Sequence, residues 1–268
     1  PVEIVSAEGY RLRGNLYTMN PGPKTVVLAL HGYHSGDIRD MGRFLPMYKR
    51  MGYDCLVPQM RCHGESEGHF ITFGFYEQVD GIAWCRKLEE IYGSDVRILL
   101  HGMSMGGVLG AILWQNGRLH FNKVIFDGSP IAGNIPFLWK SMEGFYINIT
   151  HQTQNRVQKV LDQAVGSIIS KDNFEDFVAV LDNMSDTTIR NCLRGVDAFR
   201  LSQTCPSPDS QVYFFHGTAM NEMIAKRAAK FLQKHYPSVS VTCFQGKAHC
   251  ENALLDPQVM LKALDAIL

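Results

Sequence analysis

Residues 102–106 read Gly-Met-Ser-Met-Gly, and the setting of the central residue, Ser104, fits nucleophilic chemistry. The apolar run Val96, Ile98, Leu99 and Leu100 leads into it, long enough for one buried strand, and a helical-looking segment, Gly107–Gln115, leads out. A strand that turns at once into a helix holds its turn residue in strained backbone geometry, and the flanking positions need glycine to avoid clashes. The strain lifts the serine hydroxyl clear of the sheet. The next backbone N–H, that of Met105, enters the same space from a helix N-terminus as an oxyanion donor. Gly64-Glu65-Ser66-Glu67-Gly68 has the same spacing, but no apolar strand runs directly into it, and two glutamates flank a serine that has to support an oxyanion. Ser66 is therefore read as a loop residue. A serine hydroxyl is a weak nucleophile near neutral pH and needs a base within hydrogen-bond reach. Histidine suits, because its pKa lies near the working pH, and the chain has ten.

The elements that must hold such a serine follow from the hydrophobic pattern. Val2–Val5 and Leu12–Tyr17 alternate apolar and polar residues around Glu8-Gly9, as a solvated antiparallel hairpin does. Thr25–Leu30 is a nearly continuous apolar run suited to a central strand, and it ends in His31-Gly32-Tyr33-His34. Ile38–Met51 has helical apolar spacing, and Tyr53–Val57 is the next strand. Phe75–Glu90 reads as an amphipathic helix with Val79, Ile82, Ala83 and Leu88 toward the sheet. After the serine helix come strands at Lys123–Phe126 and Gln211–Phe215, a helix to His235, a last strand at Val239–Phe244 and a closing helix at Pro257–Leu268. Strand–helix–strand alternation of this kind indicates a parallel sheet with right-handed crossovers. From Pro130 to Leu201 the alternation stops. Apolar aromatics (Phe137, Trp139, Phe145, Tyr146) precede helical segments at Phe174–Leu181 and Thr187–Leu193.

A chain of 268 residues fits one large domain, or one domain with an insertion. Its formal net charge is zero, so nothing draws it to nucleic acid or to an anionic membrane. No apolar run reaches the roughly 18 residues that span a bilayer, and Pro1–Ala7 reads as a strand rather than as a signal segment. Seven cysteines stand singly, without a C-x-x-C pair, which argues against a disulfide framework or a zinc site and for a reducing, cytoplasmic setting. His31 and His34 have no carboxylate cluster downstream to complete a metal site, and Gly102–Gly107 lacks the G-K-[ST] ending that cradles phosphates. Neither a metal nor any other cofactor is expected.

The strand–Gly102-Met103-Ser104-Met105-Gly106–helix unit resembles the nucleophile elbow of the α/β-hydrolase fold superfamily, serine esterase and acyl-hydrolase type. Arg61-Cys62-His63-Gly64-Glu65-Ser66-Glu67-Gly68 is similar to a stretch that many of its members carry after the fourth strand. The resemblance implies an α/β architecture: a mostly parallel central sheet with helices on both faces, from residues 1–129 and 202–268, and a helical cap inserted at residues 130–201. It puts the base in the loop after the final strand, where this chain has Gly246-Lys247-Ala248-His249-Cys250-Glu251, and it makes the backbone N–H of Tyr33 the oxyanion donor beside that of Met105. His63 is read as structural, and His31, His101 and His216, each before a glycine, as turn residues.

The third member of such a site is a carboxylate that fixes the imidazole tautomer and stabilises the imidazolium. Superfamily members usually carry it as H-G-x-x-D, but here the stretch reads His216-Gly217-Thr218-Ala219-Met220, and methionine cannot serve. Two substitutes keep the chain order serine, acid, histidine. Glu222 lies two residues further on, and Asp127 ends the strand after the serine helix. Asp127 is preferred, because it needs no loop shift. The reading is a serine hydrolase that cleaves a small-molecule carboxylic ester with a hydrophobic acyl or aromatic group through an acyl-enzyme. A thioesterase or carbon–carbon bond hydrolase would use much the same parts. A ligand-binding protein on a hydrolase scaffold is the alternative that Met220 motivates and that the retained Ser104 and His249 oppose.

Overall fold

A computed structural model describes all residues except 34, 132–137, 166–173, 205, 206, 208, 220, 221 and 237. His34, Phe137 and Met220, and the side chains of Leu138 and Trp139, therefore lie outside the described residues.

Eight strands form one sheet: β1 (Val2–Val5), β2 (Arg11–Tyr17), β3 (Thr25–Leu30), β4 (Asp54–Pro58), β5 (Arg97–Met103), β6 (Phe121–Asp127), β7 (Gln211–Gly217) and β8 (Ser240–Phe244). Their spatial order is β1-β2-β4-β3-β5-β6-β7-β8. β1 and β2 pair antiparallel, β2 joins β4 antiparallel, and every later pairing is parallel. β3 is buried almost along its whole length and β4 throughout, so neither strand alternates in the sequence.

Helices cover both faces. α1 (Leu45–Arg50) and α9 (Pro257–Asp265) close one face, where Phe44, Tyr48, Met260 and Leu264 pack against Val27, Leu99 and Ile125. α2 (Glu77–Tyr92), α3 (Met105–Asn116) and α8 (Met223–His235) close the other, with Trp84, Leu88, Trp114 and Leu232 against Leu28, Leu100 and Phe126. Between β6 and β7 lie α4 (Leu138–Gln154), α5 (Gln158–Ala164), α6 (Phe174–Asp182) and α7 (Asp186–Ala198), with α4 packed on α6 and α7.

Two local expectations change. Ile38–Met51 is not one helix: a wide turn at Asp37–Met41 and a tight one at Gly42–Phe44 precede α1, whose first turn holds Pro46. Proline has no N–H to continue a preceding helix, so a new one starts there. Val79 points to solvent, because α2 turns Glu77 and Asp80 inward instead. Glu77 accepts the N–H groups of Thr72 and Gly74 at 2.7 and 2.8 Å, and Asp80 takes the Arg61 guanidinium at 2.8 and 2.9 Å. Buried charge is retained when each oxygen finds a donor.

The chain leaves β3 toward β4 on one side and resumes with β5 on the other, so the crevice between the ends of β3 and β5 is a topological switch point. Open α/β sheets bind their ligands there. Gly32 follows β3 and Ser104 follows β5, on either lip of it.

Candidate active site

Ser104 sits between β5 and α3 with φ 51° and ψ −117°, a backbone conformation that L-residues rarely hold. Three contacts fix it there. Its N–H donates to the Asp127 carbonyl at 2.8 Å, its carbonyl accepts from Gly107 at 3.0 Å, and Gly106 lies directly on the β3 exit. A Cβ at Gly106 would stand 2.1 Å from the Leu30 carbonyl oxygen, so the helix approaches the strand only with hydrogen at that position.

The loop after β8 brings His249 over the serine. Its Nε2 lies 2.9 Å from Ser104 Oγ, and its Nδ1 lies 2.7 Å from Glu222 Oε1. Glu222 is 1% exposed, and its second oxygen accepts the Gly217 N–H at 2.7 Å, which sets the carboxylate plane. The two loops are stitched together: Thr218 and Ala219 both donate to the Lys247 carbonyl at 2.9 Å. A Cβ at Gly217 would meet that carbonyl oxygen at 2.0 Å, so glycine permits the approach. With Nδ1–H donated to Glu222, Nε2 is left as acceptor for the serine hydroxyl. Burial of the ring works against its charge, but the hydrogen bond to Glu222 and the charges of Glu222 and Asp127 outweigh it. His249 therefore titrates above the ordinary histidine value.

The geometry reverses the order of preference between the two carboxylates. Asp127 makes no hydrogen bond to His249; it is 4% exposed, and its Oδ2 is buried without a partner among the described residues. The turn after Gly217 carries Glu222 round to Nδ1, which is the loop shift that an acid on β6 would not need. Burial pushes the Asp127 carboxyl up to about 7, with His249 opposing and the charges of Glu222 and Asp40 adding to the rise. Native Asp127 therefore holds a proton that the unfolded chain has released, and its contribution to stability falls as pH rises from the unfolded carboxylate value through about 7. Asp127→Asn removes that penalty. Its stability relative to the native chain is expected to improve between about pH 4 and pH 8, by at most about 4 kcal/mol at ~1.4 kcal/mol per pKa unit. Urea denaturation at both ends of the range checks it, and an unchanged offset would show that Asp127 is not held neutral.

The lip after β3 is organised by Asp40, a residue with no signal in the sequence beyond its place in a helical-looking stretch. Asp40 is buried; one oxygen accepts the Gly32 N–H at 2.8 Å and the other the Ser35 hydroxyl. A Cβ on Gly32 would be 3.7 Å from the Ser104 Cβ, so the Gly32–Tyr33 backbone lies beside the nucleophile. Met105 opens α3, where backbone N–H groups have no partner within the helix.

The remaining candidates stay away from the chemistry. Ser66 is buried, with its hydroxyl donating to the Gln59 carbonyl at 2.6 Å and accepting the Arg13 N–H at 2.8 Å. His63 Nδ1 lies 2.9 Å from the Arg61 carbonyl, His31 Nδ1 2.8 Å from that of Gly32, and His216 Nδ1 2.6 Å from that of Gly217. His101 is buried against Tyr48. Among the described residues no group of three His, Cys, Asp or Glu side chains is placed to hold a metal ion, and no helix is long and apolar enough to cross a membrane.

Ser104 and His249 open into a cavity of about 370 Å³. Its walls are mostly apolar: Tyr146, Phe177, Leu181, Ile189 and Leu193 of the inserted helices face Leu254 across it. Of the inserted aromatics, Tyr146 lines the cavity and Phe145 faces solvent.

No family model matches the chain. A segment of 105 residues, 39% of the chain, is 29% identical to the uncharacterized protein YqkD of Bacillus subtilis and covers 34% of it. The chain spans about a third or less of the length of the curated relatives it matches. Solved structures match along nearly its whole length. An esterase from Exiguobacterium antarcticum superposes with a TM-score of 0.71 at 14% identity, covering 98% of this chain and 97% of that one. A carboxylesterase structure from the thaumarchaeon Nitrososphaera gargenis does so with a TM-score of 0.72 at 12% identity, covering 99% and 97%. Identities this low speak for the fold alone, and the fold is that of the α/β hydrolases: a mostly parallel eight-stranded sheet flanked by helices.

Proposed function

We propose that the chain is a serine esterase that hydrolyses small-molecule carboxylic esters through an acyl-enzyme. The observation that carries this reading is the unbroken relay from Glu222 through His249 to Ser104, 2.7 Å and 2.9 Å long, opening into a mostly apolar cavity. The esterase neighbours support ester hydrolysis as its class.

Ser104 Oγ attacks the ester carbonyl while His249 Nε2 takes its proton, and the Met105 and Tyr33 amides receive the oxyanion. The imidazolium, held by Glu222, hands the proton to the departing alcohol. Water then repeats the sequence on the acyl-enzyme and frees the acid. The inserted helices between β6 and β7 act as the cap; they supply the apolar wall against which a hydrophobic acyl group packs. A ligand-binding role gains nothing from Met220, because Glu222 offers His249 a carboxylate that the usual position lacks. We also propose a cytoplasmic setting, on the scattered cysteines of the sequence.

The test is labelling by a fluorophosphonate probe, read by peptide mapping, together with turnover of a short-chain aryl ester. Labelling at Ser104 with turnover supports the reading; a chain that neither reacts nor turns over an ester returns the site to the binding alternative.

Asp40 acts at one remove. Asp40→Ala frees the Gly32 amide from its anchor and loosens the Tyr33 donor, so kcat should fall about 10–100-fold with KM little changed. Asp40→Asn keeps one acceptor and is expected to lose less. A rise in KM at constant kcat would assign Asp40 to the cavity wall instead.

A further inference from the structure

A second cavity, of about 640 Å³, adjoins the first. The two share Tyr33, Val180, Met184 and Cys192, but Ser104 and His249 line only the first. The residues they share form the boundary between them. The Tyr33 ring stands in it, its Oη accepting a weak hydrogen bond from Cys192 Sγ at 3.2 Å, with Phe73 stacked on it at 5.6 Å. Phe70, Phe73 and His69 form one wall of the second cavity, and Asn183, Thr188 and Asn191 the other. No Lys, Arg, Asp or Glu is among the described residues that line it. The cavity opens to water, since Phe70 at its rim is 74% exposed.

These features select an occupant. A carboxylate or phosphate would find no cation, and a cation no carboxylate, so the ligand is neutral. Ring faces on one side and amide and hydroxyl groups on the other fit a flat aromatic ring with polar substituents at its edge. An ester has two arms that diverge at the carbonyl. The acyl arm remains on Ser104 through the second half of the reaction and suits the apolar cavity that contains the serine. The alcohol arm must leave, and suits the cavity that opens to water. We infer that this second cavity is the leaving-group seat, shaped for a neutral aromatic alcohol, with Tyr33 as the pivot between the two arms. The inference rests on the esterase reading and goes beyond it by naming the alcohol.

Two acetates of primary alcohols, dimethoxybenzyl acetate and propyl acetate, differ little in intrinsic reactivity and so isolate the contacts. The native chain is expected to favour the benzyl ester in kcat/KM. Phe70→Ala and Asn191→Ala, both at exposed positions, should each lower that preference about threefold to tenfold and leave propyl acetate turnover unchanged. Binding of dimethoxybenzyl alcohol to Ser104→Ala, followed by ligand-observed NMR, should weaken by the same factors. Equal rates for the two esters, or equal losses on both in the variants, overturn the inference while the esterase reading stands. Alcohol binding that depends on Phe70 and Asn191 in a chain inert toward esters supports the seat and sinks the esterase reading. Absence of both binding and turnover overturns the seat as well.

Discussion

Ser104→Ala is expected to abolish ester hydrolysis, with a loss on the order of 10⁵- to 10⁶-fold in kcat and no loss of fold. The Ser104 hydroxyl is half-buried, and its side-chain hydrogen bond among the described residues is to His249 at 2.9 Å. Without it the imidazole has nothing to deprotonate, and what remains is the oxyanion donors acting on water. Removing the hydroxyl leaves φ at 51° to be borne by an alanine, so the strain persists and thermal stability should change little. Ser66→Ala is the counterpart. It removes hydrogen bonds to Gln59 and Arg13 and should lower stability while activity per folded molecule stays near native. Retained turnover in Ser104→Ala, measured as initial rates on the same aryl ester, would overturn the assignment of the nucleophile.

Glu222→Gln carries the second large effect, a fall in kcat of about 10³- to 10⁴-fold. The amide keeps the shape but faces Nδ1 with either a neutral oxygen or an N–H group. The second arrangement turns the imidazole to the tautomer that cannot accept the serine proton. The pH profile supplies an independent readout. His249 must be neutral to act as base, so kcat/KM should rise with pH through a midpoint above the usual histidine value of about 6.5. Removing the Glu222 charge takes away the main support of the imidazolium, and the midpoint should move down. Asp127→Asn, by comparison, leaves the hydrogen bond at Nδ1 intact and replaces a carboxyl that burial already holds largely neutral, so it should cost no more than about tenfold. If Asp127→Asn loses as much as Glu222→Gln, the acid role moves back to β6.

What the sequence made legible was local. Ser104 stood out because strand, glycine-flanked serine and helix lie within twenty residues, and backbone sterics alone dictate that arrangement. His249 stood out through the resemblance, which fixes the loop after the last strand. The carboxylate at His249 Nδ1 did not, because which one reaches it depends on how far the turn after Gly217 travels, and that is set by a contact with Lys247 on another loop thirty residues away. Asp40 was hidden for a related reason: an aspartate eight residues past Gly32 has no motif, and only the fold returns it to the Gly32 amide. Val79 shows the same limit in α2, where Glu77 and Asp80 displaced an apolar residue from the inner face because their partners sit in loops that periodicity does not see.

The relay joins parts of the chain that are far apart in order of synthesis. Ser104 is made 145 residues before the His249 ring beside it, and Glu222 precedes that ring by 27. His249 hangs from β8, which among the described residues is an edge strand paired with β7. A nascent chain built as far as α8 thus holds the strained Ser104, the Gly32 lip and Glu222, and still lacks His249. His249 arrives late, in the loop after the final edge strand, and only the helix that follows brings Met260 and Leu264 to complete one apolar face of the sheet. On the proposed reading, ester turnover would report that the chain has been built past β8, and a polypeptide interrupted before it is expected to be silent however well the rest has folded.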